Sequence, residues 1–112
     1  MTVTFELFFE DGARLAFEWD AAKAMTNVTK HGIRFEEAAH IFLDDPLTAE
    51  DTGARGEMRE ISFGRIGQAP GPVVVVCVVH TERNGVIRLI SARKATAHEQ
   101  KRYDVHLRST YH

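Results

Sequence analysis

The most apolar stretch of the chain sets the fold, and residues 73–85 read VVVVCVVHTERNG. The run Val73 to Val79 is apolar at every position, so it does not alternate between a core face and a solvent face. A strand of this kind is covered on both sides, which predicts the central strand of a sheet with helices packed on it. Asn84-Gly85 is a strong hairpin signal. It predicts that the next strand, Val86 to Lys94, returns antiparallel beside the central one.

Hydrophobic periodicity divides the rest of the chain into strands and helices. It predicts strands at Val3 to Phe9, Arg14 to Trp19, Arg59 to Arg65, Val73 to Thr81 and Val86 to Lys94. It predicts helices at Ala21 to His31, Phe35 to Leu43 and Ala97 to about Arg108, and a polar loop from Thr48 to Glu57. The expected order is ββ-αα-βββ-α. This order predicts an α+β fold in which helices pack on an antiparallel sheet.

Capping residues mark the ends of the predicted helices. Asp20 is a suitable N-cap for the first helix and Gly32 a suitable stop. Thr96 and Glu99 match a capping box that opens the last helix. In the first helix one face carries Lys23, Asn27 and Lys30, and another carries Ala21, Met25 and Val28. The second helix has an apolar stripe of Phe35, Ala38, Ala39 and Phe42.

Length and composition predict a single cytoplasmic domain spanning residues 1–112. A chain of 112 residues buries enough surface to fold without a disulfide or a structural metal. The one cysteine, Cys77, cannot form an internal disulfide, as expected in a reducing compartment. The run Val73 to Val79 is too short to span a membrane, and the N-terminus lacks the basic start of a signal peptide. We therefore expect no membrane partner.

The net charge of −2 conceals opposite charges in the two halves of the chain. Residues 1–62 contain six Lys/Arg and thirteen Asp/Glu, which gives −7. Residues 63–112 contain eight and three, which gives +5. This asymmetry predicts two differently charged surfaces with two different partners. The alternative is that the halves neutralise one another in the fold.

The last predicted strand runs into a cationic cluster, Ser91-Ala92-Arg93-Lys94. Strict alternation places Ser91 and Arg93 on the face of Ile87 and Leu89, and places Arg88, Ala92 and Lys94 on the face of Val86 and Ile90. Arg93 then emerges at the edge of the core, where its planar fork of donors suits a phosphate. The alternative is a salt bridge to an acidic residue of the first half. Because Arg93 and Lys94 point to opposite faces, they serve one phosphate only if the strand twists or ends there.

A second arginine has a similar environment. Arg59 shares its predicted face with Ile61 and Phe63, and Glu57 is the nearest carboxylate on that side. Arginines stabilise the charge of a phosphorane-like transition state, and a carboxylate can accept a proton. Two arginines and a carboxylate near one sheet edge therefore suit phosphodiester chemistry.

The six histidines do not form a metal-binding motif such as HExxH, and the glycines do not form a phosphate loop. We therefore expect no metal and no cofactor. His80 follows the central strand and is a candidate general base, although a histidine at a hairpin end is often structural. Cys77 is predicted to be an inert core residue, because burial in an apolar run raises the pKa of a thiol.

From Phe17 to Tyr103 the chain resembles the BrnT family of ribonuclease toxins from type II toxin–antitoxin systems. The matching residues are Phe17-Glu18-Trp19-Asp20, Lys23, Asn27, Lys30-His31-Gly32, Phe35-Glu36-Glu37-Ala38, Phe42, Asp45-Pro46, Glu57, Arg59, Gly64, His80-Thr81-Glu82-Arg83, Arg88-Leu89-Ile90-Ser91-Ala92-Arg93-Lys94-Ala95, Glu99 and Tyr103. Each motif by itself has low specificity for the family, whereas the order and spacing of all of them together are specific.

The resemblance implies a compact RelE-like fold and metal-independent RNA cleavage that inhibits growth. It implies neutralisation by a BrnA-type antitoxin with a DNA-binding ribbon-helix-helix end, so that DNA is contacted only through the antitoxin. It also implies a toxin homodimer within that complex. Carried onto this sequence, the resemblance predicts catalytic roles for Arg59 and Arg93, with Glu57 or His80 as the base. It predicts substrate-binding roles for Lys94, Lys30, Arg83 and Ser91.

Two departures from the family pattern stand out. Many relatives carry a His-Ser pair shortly before the Glu-x-x-Arg-like segment, whereas residues 51–56 here read DTGARG. The strand Val3 to Phe9 also exceeds the expected start of the family, so it either extends the sheet or serves the partner.

A hypothesis from another class is a non-catalytic module. In that case the basic C-terminal half only docks an acidic antitoxin tail, and the pair co-represses its operon. Direct DNA binding by this chain is disfavoured, because the chain is net acidic and shows no helix-turn-helix pattern.

Overall fold

A computed structural model of the chain describes residues 1–51 and 58–110. The strands are β1 (Thr2–Phe8), β2 (Arg14–Asp20), β3 (Leu47–Glu50), β4 (Glu60–Ile66), β5 (Val74–Arg83) and β6 (Val86–Lys94). The helices are α1 (Ala21–His31), the short α2 (Phe35–Ala38) and α3 (Ala97–Thr110), and α2 continues into a 3-10 helix, Ala39–Leu43. The predicted α+β class is confirmed.

The six strands form one mixed sheet in the order β1-β2-β6-β5-β4-β3. Four of the neighbouring pairs are antiparallel, whereas β2 runs parallel to β6 from Ala16↔Val86 to Glu18↔Arg88. The prediction of a purely antiparallel sheet was therefore wrong at this junction. The chain leaves β2 through the helices, builds the far side of the sheet and then returns. A long crossover of this kind permits a parallel pair, which a short hairpin turn cannot make.

The predicted element order also lacked one strand. β3 lies at Leu47–Glu50, at the start of the segment predicted as a loop, and it pairs with β4 from Leu47↔Phe63 to Glu50↔Glu60. Its sequence LTAE has one large apolar residue, because an edge strand this short packs only that side chain against the core. The observed order is ββ-αα-ββββ-α. Residues 52–57 of the predicted loop lie outside the described residues.

The single helix predicted from Phe35 to Leu43 is divided into α2 and the 3-10 helix. Its apolar stripe packs as predicted, since Phe35, Ala38 and Ala39 are fully buried. The 3-10 segment sits directly on β4, where a Cβ added at Gly64 would lie 2.5 Å from the Cβ of Ile41. A residue larger than glycine at position 64 would push this segment off the sheet.

The sheet has two different faces. The α1 face carries the larger core, in which Phe17 and Trp19 of β2 pack with Val78 of β5 and Phe35 of α2. The α3 face carries a smaller cluster of buried residues, Phe63, Cys77, Ala95 and Tyr103. The central strand β5 is therefore covered on both faces, which explains its unbroken run of apolar residues.

Helix α1 begins and ends where the sequence predicts. The side chain of Asp20 accepts a hydrogen bond from the backbone N–H of Lys23, and Gly32 ends the helix in the left-handed region with φ 70°. The face that packs on the sheet is centred on Asn27, which is only 5% exposed. Met25 and Val28, by contrast, are 73% and 43% exposed. The apolar side of this helix therefore points away from the core.

A β-bulge changes the faces of β6. Val79 pairs with Ser91, but the next residue, His80, pairs with Leu89, so Ile90 has no partner on β5. One extra residue reverses the alternation of the strand beyond it. Leu89 and Ala92 consequently lie in the same core cluster. The predicted faces were therefore wrong beyond Ile90.

The predicted capping box of α3 is present. The Oε1 atom of Glu99 accepts the backbone N–H of Thr96 at 2.8 Å, and the Oγ1 atom of Thr96 accepts the backbone N–H of Glu99 at 3.2 Å. The helix reaches Thr110, two residues beyond the predicted end. Tyr103 anchors it to the small cluster on the α3 face.

Candidate functional site

Three neighbouring strands present arginines on the α3 face. Arg93 pairs with Cys77 of the α3-face cluster, and the register of the hairpin gives Arg88 and Arg83 the same orientation. Arg59 lies two residues before Ile61 and continues the ladder, since its carbonyl accepts the N–H of Asp51 at 2.9 Å. We call this surface the arginine face, and it consists of Arg59, Arg83, Arg88, Ser91 and Arg93. Strand spacing places the Cα atoms of Arg59 and Arg88 about 10 Å apart, and those of Arg59 and Arg93 about 16 Å apart.

Arg93 is held by a bidentate ion pair. Its Nη1 and Nη2 atoms donate to the two carboxylate oxygens of Glu99 at 2.7 and 3.0 Å. These hydrogen bonds raise the pKa of the Arg93 guanidinium and lower the pKa of Glu99 to about 2. The salt bridge considered from the sequence is thus present, but its acidic partner comes from the second half of the chain. The fork of Arg93 that would bind a phosphate is already occupied by a carboxylate.

Arg59 has a different environment. It is half-buried, and its Nε atom is buried without a hydrogen-bond partner within the described part of the chain. A buried donor that lacks an acceptor costs about 1–3 kcal/mol. An anion reaching this guanidinium would offset part of that cost. Arg59 is therefore better prepared than Arg93 to bind a phosphate.

Arg88 belongs to the arginine face although the sequence did not single it out. It lies in one row with Thr81 of β5, and its Nη1 atom donates to Oε2 of Glu18 on the parallel strand β2. Alternation had placed Arg88 opposite Arg93, because the bulge at Ile90 is invisible in the residue pattern. The parallel pairing that brings Glu18 to Arg88 was not predicted either.

His80 lies on the other side of the sheet. Its Nε2 atom is 2.7 Å from Oγ of Ser62, which in turn is 2.8 Å from Oγ1 of Thr48. Its ring meets the ring of Phe42 edge-on, with the centroids 4.9 Å apart. Burial lowers the pKa of His80 to about 4. The imidazole is therefore neutral at pH 7, but the sheet separates it from the arginine face.

The remaining predicted site residues that the structure describes lie on two different sides of the sheet. Lys94 pairs with Val76 of the main core cluster, so its exposed side chain extends from the α1 face. Lys30 is exposed in the last turn of α1, on the same side of the molecule. Arg83 and Ser91 lie on the arginine face with Arg59 and Arg93. Glu57 lies outside the described residues, so its predicted role stays a prediction.

The sequence that builds this site matches a model of a known protein family. The model described as ribonuclease toxin, BrnT, of type II toxin-antitoxin system matches residues 19–99, most of the chain. The chain belongs to the BrnT family. Membership indicates a ribonuclease toxin that acts with an antitoxin, so the resemblance read from the sequence is confirmed. A comparison with curated proteins finds no match.

The BrnT match includes every residue of the arginine face and ends at Glu99, whereas Glu18 lies one residue before its start at Trp19. Strand β1 lies entirely before the matched region. The arginine face thus lies within the residues that match the BrnT family, whereas β1 lies outside them.

In residues 1–51 and 58–110, no group of three or more His, Cys, Asp or Glu side chains is placed to hold a metal ion. No helix in those ranges is long and apolar enough to cross a membrane. Burial raises the pKa of the Cys77 thiol to about 11, so the predicted inert character of this cysteine agrees with its position.

Proposed function

We propose that this BrnT-family toxin cleaves single-stranded RNA on its arginine face, without a metal ion. The observation that supports this is the placement of four arginines, from three adjacent strand regions, on one face of the sheet in a chain of a ribonuclease family. Arginine is well suited to the phosphodiester backbone because its planar fork matches the phosphate oxygens.

In the proposed reaction the RNA supplies its own nucleophile. The 2′-oxygen attacks the adjacent phosphorus while a base accepts the hydroxyl proton, and the bond to the 5′-oxygen of the next nucleotide breaks. The departing 5′-oxygen takes up a proton, so the products are a 2′,3′-cyclic phosphate and a 5′-hydroxyl. Negative charge grows on the phosphate oxygens in the transition state, and a nearby guanidinium stabilises that charge.

The arginines have unequal roles in this proposal. Arg59 contacts the reacting phosphate, because its buried donor lacks an acceptor among the described residues. Arg93 contributes positive charge, but its fork is engaged by Glu99 and must partly leave it to contact RNA. Arg83, Arg88 and Ser91 line the path of the adjacent nucleotides. The proposal assigns no proton transfer to His80, which lies on the opposite side of the sheet, and the base predicted from the sequence is then Glu57.

The partner and the fold class of the toxin form part of the same proposal. We infer an antitoxin of the BrnA type whose ribbon-helix-helix end binds DNA, so that the toxin reaches DNA only through it. We infer two toxin copies in that complex and a sheet-and-helix arrangement of the RelE-like kind. An acidic antitoxin segment bound over the arginine face would exclude RNA, because the positive charge of that face attracts both.

Cleavage of a labelled single-stranded RNA by the purified chain tests the proposal. We expect cleavage to persist in excess EDTA and to leave cyclic-phosphate ends. Arg59→Ala should lower the rate about 100-fold or more, since it removes a charge contact made in the transition state. Arg93→Ala should lower the rate less, because its fork is shared with Glu99.

The matched control is Arg34→Ala, which removes an exposed arginine at the start of α2, away from the arginine face. Its rate should stay within about twofold of the unmodified chain. Equal cleavage by the unmodified chain, Arg59→Ala and Arg93→Ala would exclude this site. Absence of any cleavage, with intact antitoxin binding, would favour the non-catalytic module instead.

A further inference from the structure

Strand β1 is an unprotected edge of the sheet. It pairs with β2 on one side, and no strand lies on its other side in the described part of the chain. Natural proteins usually protect such an edge with proline, lysine, a bulge or a covering segment. The sequence of β1, TVTFELF, contains neither proline nor lysine, and its one charged residue, Glu6, pairs with Arg14 of β2. The pairing of β1 with β2 is regular over seven residues. A long, regular edge of this kind is a template for another strand.

The hydrogen bonds to β2 determine which groups of β1 face outward. The N–H of Phe9 donates to the carbonyl of Ala13, and the N–H of Ala21 donates to the carbonyl of Met1. In an antiparallel pair the bonded positions alternate along the strand, so the odd-numbered residues of β1 bond to β2. The even-numbered residues therefore direct their N–H and C=O groups to the free edge. These are Thr2, Thr4, Glu6 and Phe8, and all four are exposed.

The apolar row of β1 is also incompletely covered. Val3, Phe5 and Leu7 pack at the margin of the main core cluster, yet each remains partly exposed. The Phe5 ring lies 5.6 Å from the Trp19 ring, and within residues 1–51 and 58–110 no strand lies beside its outer side. A further strand with apolar residues at alternate positions would complete this row.

A second β1 fits this edge in one register. Antiparallel pairing centred on Phe5 joins Thr4 to Glu6 of the other copy and Thr2 to Phe8, so every outward N–H and C=O finds a partner. It places the two Phe5 side chains opposite each other in a close, non-hydrogen-bonded pair. A shift by two residues in one direction places Glu6 against Glu6, and a shift in the other direction leaves residues at the end of β1 unpaired. The centred register is thus self-complementary.

We propose that two copies of this chain associate through β1, in antiparallel register centred on Phe5, to form one continuous twelve-stranded sheet. The four pairs of outward residues supply about eight backbone hydrogen bonds. The association is isologous, so it uses up both β1 edges and closes at two copies. It involves no residue of the arginine face and does not depend on the ribonuclease proposal.

Sedimentation of the full chain over a range of concentrations tests the association. We expect a monomer–dimer equilibrium. Thr4→Pro removes an N–H that points to the second copy and leaves the β1–β2 bonds in place, because those come from odd-numbered residues. It should raise the dissociation constant about tenfold or more, since two intermolecular bonds are lost per dimer. The control Thr4→Val keeps the N–H and should leave the dissociation constant within about threefold.

Cysteine cross-linking tests the register, and it remains informative if proline impairs folding. A mixture of Thr4→Cys and Glu6→Cys chains should form a disulfide-linked dimer on mild oxidation, because facing residues lie within the span of a disulfide. Thr4→Cys alone should cross-link weakly, since its two copies lie diagonally, about 8 Å apart. A chain that stays monomeric up to its solubility limit would overturn the proposal. Equal cross-linking of Thr4→Cys alone and the mixture would overturn the register.

Discussion

Asn27 illustrates how one polar residue joins several elements. Its Nδ2 atom donates to the carbonyls of Ile33 and Ala92 at 3.0 and 2.8 Å. Its Oδ1 atom accepts the backbone N–H of Ala92 at 3.0 Å. A side-chain amide of this size satisfies both a donor and acceptors inside a buried junction. Asn27 therefore attaches α1 to the middle of β6 close to the bulge.

We predict that Asn27→Ala lowers the free energy of unfolding by about 2–4 kcal/mol, because it leaves buried backbone groups of Ile33 and Ala92 unpaired. Urea denaturation followed by circular dichroism measures the change. Thr26→Ala is the control on the same helix. Its hydroxyl is exposed and only returns to the carbonyl of Ala22, so its effect should stay within about 0.5 kcal/mol. Similar losses for both variants would contradict the role given to Asn27.

His80 makes the stability of the fold depend on pH. Its folded pKa of about 4 is below the ordinary value of 6.5, because burial disfavours the imidazolium. Between these values the unfolded chain binds a proton at this site and the folded chain does not. The free energy of unfolding therefore falls as the pH drops from about 6.5 to about 4, and the contribution is complete above that window.

We predict that His80 accounts for a loss on the order of 3 kcal/mol across this window. Urea midpoints measured from pH 7 to pH 4 give the slope. His80→Gln keeps a polar group for Ser62 and removes the titration, so it should flatten the slope. A slope as steep in His80→Gln as in the unmodified chain would show that other groups produce the loss.

At the scale of elements, the start of α3 is joined to the end of β6 through one carboxylate. Glu99 accepts hydrogen bonds from the Thr96 backbone and from both terminal nitrogens of Arg93. The pKa of Glu99 is lowered to about 2, so this contribution is present above its ordinary value of 4.5 and is lost as the pH falls through about 2. The pH range in which the stabilising contribution of Glu99 is lost thus lies below the range in which that of His80 is lost.

We predict that Glu99→Ala destabilises the fold by about 2–3 kcal/mol, because it removes the cap and leaves Arg93 without its carboxylate. Thr96→Ala should cost about 1 kcal/mol, since it removes only one capping bond. Thermal and urea denaturation measure both. Lys101→Ala, an exposed change in the same helix, is the control. A smaller effect for Glu99→Ala than for Thr96→Ala would contradict the link to Arg93.

The strength of local signals decided which elements were predictable. Helix α1 was predicted at both ends because Asp20 and Gly32 act within one turn of the chain. The hairpin at Asn84-Gly85 was also predictable, since both residues adopt positive φ and the sequence matches that demand. β3 was missed because its pairing with β4 depends on distant residues rather than on its own pattern. The bulge at Ile90 was missed for the same reason.

At the scale of the whole molecule, the sheet separates two cationic surfaces. Arg59, Arg88 and Arg93 lie on the α3 face, whereas Lys94 and Lys30 lie on the side of α1. Of the cations of the second half, Arg88 and Arg93 therefore lie on one side of the sheet and Lys94 on the other. One side suits the RNA of our proposal, and the other remains available to a different partner.

We predict that Lys94→Ala leaves the RNA cleavage rate within about twofold, because the side chain lies on the far side of the sheet from the proposed site. In our proposal the antitoxin extends from the arginine face to this side of the sheet, so its affinity, measured by titration calorimetry, should fall because a contact charge is lost. Arg88→Ala is the comparison on the arginine face and should slow cleavage. A drop in cleavage of tenfold or more for Lys94→Ala, with the fold intact, would place the RNA path on both sides.

The α+β class, the central strand, the helix caps and membership of the BrnT family were all predictable from the residues alone. These features follow from patterns within a few residues and from the order of motifs along the sequence. The folded chain was needed to show that β2 and β6 are parallel and that Arg93 pairs with Glu99. It was also needed to show that His80 and the arginines lie on opposite faces of the sheet. The faces of β6 are an example, since one extra residue at Ile90 brings Arg88 to the same face as Arg93, against the alternation of the sequence. A register of this kind is fixed by packing between distant strands, which the local pattern of residues does not encode.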